Sequence, residues 1–267
     1  MKISVCGKGG SGKSTVVALL ATEARKGGLR VLVVDSDESN SGLFRLLGFP
    51  HPPVPLMEML GGKRGLKRRM GGRNILAEEE IGLDGIPSPY LVEKDGLGLV
   101  AIGKILQALE GCACPMGALS REFLRKLRLG EGEVAFVDME AGVEHFGRGV
   151  EEGIDGVLLV VEPSLESVTL AERVKGLASG MGKPIWAVLN KVNSEAIERK
   201  LRGTVQAKGI EVLGAIPYDE EVFEASLEGN PIQGGKAAEE IGRILKRLMG
   251  GFGDAGPQRT AGAARGG

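Results

Sequence analysis

The sequence predicts an α/β fold with a mostly parallel central sheet and helices on both faces. Three observations lead there. Short apolar runs alternate with longer helical patterns along the chain. The runs are continuously apolar, as in Val-Leu-Val-Val at 31–34, which suits strands covered on both faces. The first run ends in a glycine-rich turn that opens directly into a helical pattern, a junction typical of parallel sheets.

Residues 3–6 read as the first strand. Residues 13–26 read as its helix, with Val16, Leu19, Leu20 and Ala24 on one face and Gly27-Gly28 as the stop. Residues 31–35 form the second strand. Further strands are expected at 97–102, 134–138, 157–161, 185–189 and 212–214, and helices at 166–176, 194–208 and 237–249. Two stretches break the rhythm. Residues 51–95 are rich in Pro, Gly and charge, with six Lys/Arg between Lys63 and Arg73. Residues 250–267 are Gly/Ala-rich with little apolar content, so a disordered tail is expected there. The reading is one domain over 1–249, with 51–95 as a variable, insertion-like segment and 250–267 as the tail. No internal repeat is visible.

A chain of 267 residues, 42% hydrophobic, can bury a sizeable core. Aromatics supply only 4%, so Val, Ile, Leu and Ala do the packing. A net charge of −1 offers no global field for nucleic acid or an anionic membrane, and neither partner is expected. No apolar run approaches the roughly 20 residues that cross a bilayer. The chain enters its first strand at once without a cleavable signal, and the cytoplasm is the expected location. Three cysteines (Cys6, Cys112, Cys114) suit a reducing compartment better than a disulfide framework.

Gly7, Lys8, Gly9, Gly10, Ser11, Gly12, Lys13, Ser14 and Thr15 satisfy G-x-x-x-x-G-K-[ST], after an apolar strand and at the start of a helix. Glycines let successive backbone N–H groups aim at phosphate oxygens, and the helix N-terminus adds partial positive charge. Lys13 is expected to reach the β- and γ-phosphates of ATP or ADP, and the Ser14 hydroxyl to sit on Mg²⁺. Residues 134–137 lead into Asp138, an apolar strand ending in the carboxylate expected to hold Mg²⁺. Asp35-Ser-Asp37 likewise closes the second strand, where open α/β sheets place their chemistry. An ordinary turn aspartate is the alternative for Asp37, and solvated carboxylates are the reading for Glu140 and Glu144.

The run from Lys8 to Thr15 resembles the deviant Walker A box of the MinD/ParA/nitrogenase-iron-protein superfamily of P-loop NTPases. The resemblance implies a MinD-like fold and a Mg-dependent ATPase. It implies that Lys8 reaches the nucleotide of a second subunit across a nucleotide-dependent homodimer. It implies that Asp37 orients the attacking water and contributes to the magnesium site, so that Lys8, Lys13, Asp37 and Asp138 are the catalytic set. Relatives often continue Asp-x-Asp with Pro, where this chain has Glu38. Asn190 and Lys191, and Ile216, Pro217 and Tyr218, match the superfamily's adenine-binding positions.

Cys112-Ala-Cys114 lies before Asp138. Thiolates suit soft or borderline metals, and two copies of the pair across a twofold axis supply four sulfurs for Zn²⁺ or Ni²⁺. Together with Lys8–Thr15 and the stretch Asp-Met-Glu-Ala-Gly-Val-Glu-His-Phe-Gly-Arg-Gly at 138–149, the pair is similar to the CooC family. Those proteins are nickel-insertion ATPases for carbon monoxide dehydrogenase, with relatives serving acetyl-CoA synthase. The resemblance spans residues 1 to about 249 and implies Ni²⁺ (or Zn²⁺) as cargo and a nickel enzyme as client. Cys6 reads as core packing. His145 reads as a switch-loop packing residue, with metal ligation as the alternative.

Rival functions draw on weaker features. The end of the last helix has a basic amphipathic character that suits a MinD-like membrane-associated positioning ATPase. An iron–sulfur scaffold ATPase usually carries C-x-x-C, a wider spacing. The Lys63–Arg73 run invites a ParA-like DNA role, but it lacks interleaved aromatics and acidic residues 78–80 follow it.

Overall fold

The computed structural model describes residues 1–39, 42–71, 74–104, 114–232 and 234–253. Its elements are β1 (Lys2–Gly7), α1 (Lys13–Lys26), β2 (Arg30–Asp35), α2 (Leu43–Leu46), α3 (Leu56–Met59), α4 (Gly62–Arg69), β3 (Leu91–Lys94), β4 (Leu97–Ala101) and α5 (Cys114–Lys126). They continue with β5 (Glu133–Asp138), α6 (Glu144–Gly147), β6 (Gly156–Val161), α7 (Leu165–Gly180), β7 (Ile185–Val192), α8 (Glu195–Ala207), β8 (Glu211–Pro217), α9 (Glu220–Glu228) and α10 (Gly235–Gly253).

The strands form one eight-stranded sheet in the order β3-β4-β2-β5-β1-β6-β7-β8, parallel except where β3 runs against β4. The expected parallel α/β architecture is therefore the observed one. Alternation along each strand feeds two cores. Ile3, Val5, Val31, Val33, Leu158 and Val160 face α1 and α10. Leu32, Val34, Val137, Leu159 and Val161 face α5, α7 and α8.

Local chemistry explains the helix boundaries. Ser164 and Ser194 cap α7 and α8 by accepting from Ser167 N at 3.2 Å and Ile197 N at 3.3 Å. Asp219 accepts from Glu221 N on α9 with Oδ1 and from Ala237 N on α10 with Oδ2, at 3.1 and 3.0 Å. One carboxylate thereby fixes the chain that leaves β8.

The structure departs from the sequence reading in three places. Residues 51–95 contribute to the main core, burying Leu56, Leu66, Leu76, Ile81, Leu83 and Ile86 beside α5. Their helices are short, four residues in α3 and eight in α4, too few to show a period. The segment also ends in an edge strand, turned by Asp95 (φ 52°) and Gly96 (φ 76°), an Asp-Gly hairpin signal hidden by its short arms. Finally, α10 runs to Gly253, past the expected end at 249, and buries Ile241, Ile244, Leu245 and Leu248 in the second core. Its apolar stripe is used inside the fold, which removes the basis for a membrane anchor there. No described helix is long and apolar enough to cross a membrane.

Candidate nucleotide site

The site lies at the carboxyl ends of β1, β2 and β5, where register brings the acidic residues together. Asp35 pairs across the sheet with Asp138, and Asp138 with Val5 of β1. The loop after β1 turns back over these ends. Gly12 has φ 92°, and a Cβ there would sit 2.4 Å from Asn190 Nδ2, so no other residue fits without moving the asparagine. Asn190 Nδ2 donates to Ser11 O at 2.7 Å, and Lys191 Nζ to Gly10 O at 2.6 Å. These bonds attach the loop to the end of β7. Lys13 is buried, with Nζ 3.3 Å from Lys8 O.

A cavity of about 490 Å³ opens between the loop and α9. Gly9, Gly10, Gly12, Lys13, Ser14 and Thr15 line one end together with Asp37. Asn190, Lys191, Ile216, Pro217 and Tyr218 line the other. Positions as far apart in sequence as Gly9 and Tyr218 thus face one space. Phe223 of α9, which the sequence reading passed over, closes the outer wall. Its ring centroid is 6.1 Å from that of Tyr218, and the two side chains are about half exposed.

Under the loop lies a group of buried carboxylates. Asp138 Oδ2 accepts from Ser14 Oγ at 2.6 Å, while Oδ1 has no partner among the described residues. Burial, then the Asp35 charge, pushes the Asp138 carboxyl up to about 7. Asp35 is pushed up to about 6 by burial, against the pull of Lys104, whose Nζ is 2.6 Å from Asp35 Oδ2. Asp35 Oδ1 is also without a partner among the described residues. Asp37 Oδ1 accepts from Ser39 N and Oγ at 2.9 and 2.6 Å. Glu38, in the position where relatives often carry Pro, is nearly buried and pushed up to about 7 by burial and then by Glu140.

Open oxygens beside a serine hydroxyl form the hard donor set that Mg²⁺ accepts. Among the described residues, no three His, Cys, Asp or Glu side chains are grouped to hold a metal by themselves. A magnesium ion here would therefore complete its shell with water and phosphate oxygens, as this ion commonly does.

Lys8 does not line the cavity. Its ammonium, 37% exposed, lies 2.8 Å from Glu162 Oε1, and Lys191 approaches the same carboxylate at 3.7 Å. The hydrogen bond from Lys8 leads the causes that hold the Glu162 carboxyl below its ordinary value. Neither Glu162 nor Lys104 was a sequence-level candidate. Each follows a strand end, but the partner that marks it, Lys8 for Glu162 and Asp35 for Lys104, lies more than 60 residues away.

Cys6 is fully buried, as expected, and burial pushes its thiol up. His145 is buried and its Nδ1 meets Glu151 Oε1, in keeping with a packing role in the loop after β5. Cys112 lies outside the described residues. Cys114 opens α5, but its side chain is outside them too.

The family model described as the CobQ/CobB/MinD/ParA nucleotide binding domain matches residues 3–232. An uncharacterized ATP-binding protein of Methanocaldococcus jannaschii is 45% identical over 87% of this chain and 94% of its own. The carbon monoxide dehydrogenase accessory protein CooC of Rhodospirillum rubrum is 35% identical over 93% of this chain and 97% of its own. Among solved structures, the septum site-determining protein MinD of Pyrococcus horikoshii, complexed with Mg-ADP, superposes with a TM-score of 0.70 at 17% identity. That match covers 96% of this chain and 98% of the other.

Proposed function

The chain belongs to the CobQ/CobB/MinD/ParA nucleotide binding domain family, and from that membership we propose that it is an ATP-hydrolysing metallochaperone of the CooC type. It takes up Ni²⁺ at Cys112 and Cys114, shared between two copies, and serves the maturation of a nickel enzyme, carbon monoxide dehydrogenase or acetyl-CoA synthase. The observation that carries this reading is the 35% identity to a carbon monoxide dehydrogenase accessory protein along nearly the full length of both chains. The Cys-Ala-Cys sequence adds the thiolates such a cargo needs.

The geometry supports a division of labour. Backbone N–H groups of residues 10–15 and the N-terminus of α1 bind the phosphates. Lys13, buried at the loop, places its charge on the β- and γ-phosphates. Ser14, Asp138 and Asp37 would hold magnesium, which supplies neutralisation of phosphate charge when bound. Asp37 orients the attacking water. Asn190 spends its Nδ2 on Ser11 O, which leaves Oδ1 to accept from the adenine amino group, while Ile216, Pro217 and Tyr218 wall the base. In the dimer Lys8 leaves Glu162 for the nucleotide of the other copy. The domain reading of 1–249 and the cytoplasmic location are part of the same proposal.

The test is metal content and oligomeric state, with and without ATP, in the wild type and in Cys112→Ala/Cys114→Ala. The expected result is about one Ni²⁺ or Zn²⁺ per dimer in the wild type, as two cysteines from each copy complete a four-sulfur site, and none in the variant. Unchanged stoichiometric metal in the variant would sink the cysteine site.

A further inference from the structure

One face of the molecule gathers cations that have no acid to meet them. The chain balances 34 Lys/Arg against 35 Asp/Glu, so such a face reflects placement and not an overall excess. Arg64, Lys67 and Arg68 are exposed on α4, and Arg125 is exposed on α5; none of them takes part in an ion pair among the described residues. Arg69 and Arg121 beside them reach backbone carbonyls, Ile75 O at 3.4 Å and Arg148 O at 3.3 Å. Arg30, by contrast, meets Asp84, Glu93 and Glu133 at 2.7, 3.2 and 3.5 Å.

The helices that carry this face are firmly seated. Leu66 of α4 is fully buried in the main core, and Gly65 presses on the turn before the helix, where a Cβ would sit 1.8 Å from Leu60 O. Met70, 41% exposed, rims a notch of about 280 Å³ lined also by Ile75, Ala118, Arg121 and Arg125. Two carboxylates border this notch. Glu122 is already bonded to Ile75 N, Leu76 N and Lys126, and Glu152 forms no ion pair with either arginine. Arg64 and Arg68 stand four residues apart on one helix, and Arg121 and Arg125 do so on the next. Like charges at that spacing repel, and an acidic ligand relieves both pairs at once.

The chemistry of the face selects the ligand. α4 has eight residues and is about 12 Å long, so it meets a few charges and not a long polymer. Arginine predominates, and its planar fork pairs with a carboxylate through two parallel bonds. Neither helix exposes an aromatic side chain to stack a base. Met70 is the one large apolar group exposed on these helices or at their ends, too little to enter a bilayer. Beyond Arg125, Glu80 lies 3.0 Å from Arg128 and closes that end of the face with negative charge. At the other end, Lys63 lies close enough to Glu38 for its charge to act on that carboxyl, so the face adjoins the Asp37 loop. We infer that the exposed sides of α4 and α5 form a docking surface for an acidic segment of a partner protein, with Arg64, Lys67 and Arg68 meeting its carboxylates and the notch at Arg121 and Arg125 seating one acidic side chain.

Binding of a labelled oligoglutamate peptide to the full chain, followed by fluorescence anisotropy, tests the surface. The wild type is compared with Arg64→Glu/Lys67→Glu/Arg68→Glu and with Arg173→Glu/Arg199→Glu/Lys200→Glu, which makes the same charge change at exposed positions of α7 and α8. The α4 variant is expected to lose about tenfold or more in affinity, the scale of a few exposed ion pairs, while the α7/α8 variant stays within about twofold of the wild type. Added salt should weaken wild-type binding. Arg121→Gln/Arg125→Gln, which reverses no charge, should weaken it by a smaller factor. No peptide binding by the wild type overturns the inference. So does an equal loss in the two triple variants, or unchanged affinity in both the α4 and the α5 variant. Tighter binding of oligodeoxythymidylate or of phosphatidylserine vesicles through the same α4 residues also overturns it, in favour of a nucleic-acid or membrane surface. ATP hydrolysis and Ni²⁺ uptake by the α4 variant should match the wild type, so the docking surface and the metallochaperone reading fail separately.

Discussion

Glu122 and Asp138 are both buried carboxylates, and the fold treats them in opposite ways. Glu122 Oε1 accepts from Ile75 N and Leu76 N, each at 2.9 Å, and lies 3.0 Å from Lys126 Nζ, which also donates to Leu76 O. Burial alone would raise its carboxyl, but the two backbone donors and the lysine outweigh burial and hold it below its ordinary value. Among the described residues the Asp138 carboxylate has one hydrogen bond, from Ser14, and one oxygen with no partner, and it is pushed up to about 7. A charge that only holds structure is surrounded with donors. On the proposed function, Asp138 is a charge kept for a ligand and left partly open at a cost in stability, and that asymmetry separates the two carboxylates more clearly than burial does.

The contrast is broken most directly by Glu122→Ala. It strands Lys126 in a buried site, and the expected cost is about 3–5 kcal/mol of unfolding free energy by denaturant titration. Protein that remains folded should keep its affinity for ATP. Next in size, Lys13→Ala and Asp138→Asn should each lower ATP hydrolysis by about 10²–10³-fold, and nucleotide-free Asp138→Asn should be at least as stable as the wild type at neutral pH, where the buried Asp138 carboxylate costs stability. If Asp138→Asn unfolds the protein while Glu122→Ala leaves it intact, the assignment of roles is reversed.

A pH titration of stability sharpens the same comparison, because the two groups carry opposite signs. The Glu122 contribution is present above its unfolded value near ~4.3 and is lost as pH falls toward its lower folded value. Asp138 is the reverse. With a folded pKa of about 7 against an unfolded value near ~3.9, the metal-free native state loses stability as pH rises between the two. Melting temperatures of Glu122→Gln should therefore be flatter than wild type on the acid side, and those of Asp138→Asn flatter between about pH 4 and 7. The smallest effect is expected at the cavity mouth. Phe223→Ala should raise KM for ATP by about two- to tenfold with kcat unchanged, the scale of one aromatic contact.

The seven parallel strands, the long helices outside residues 51–130, and the loop from Gly7 to Thr15 are legible in the sequence, because each depends on neighbours within one turn or one strand. Continuous apolar runs admit few other placements, and a glycine-rich turn between strand and helix states its own geometry. The members of the cavity wall, Asn190, Lys191 and Ile216 to Tyr218, were legible through resemblance, since nothing local distinguishes them from ordinary strand ends. What only the tertiary structure decided is which polar groups meet. Lys8 with Glu162, Lys104 with Asp35, Ser36 with Ser120 and Arg148 across Gly117 join residues 31 to 154 positions apart. A side chain's partner at that range is fixed by how sheet and helices pack against one another, and no short stretch of the chain encodes it.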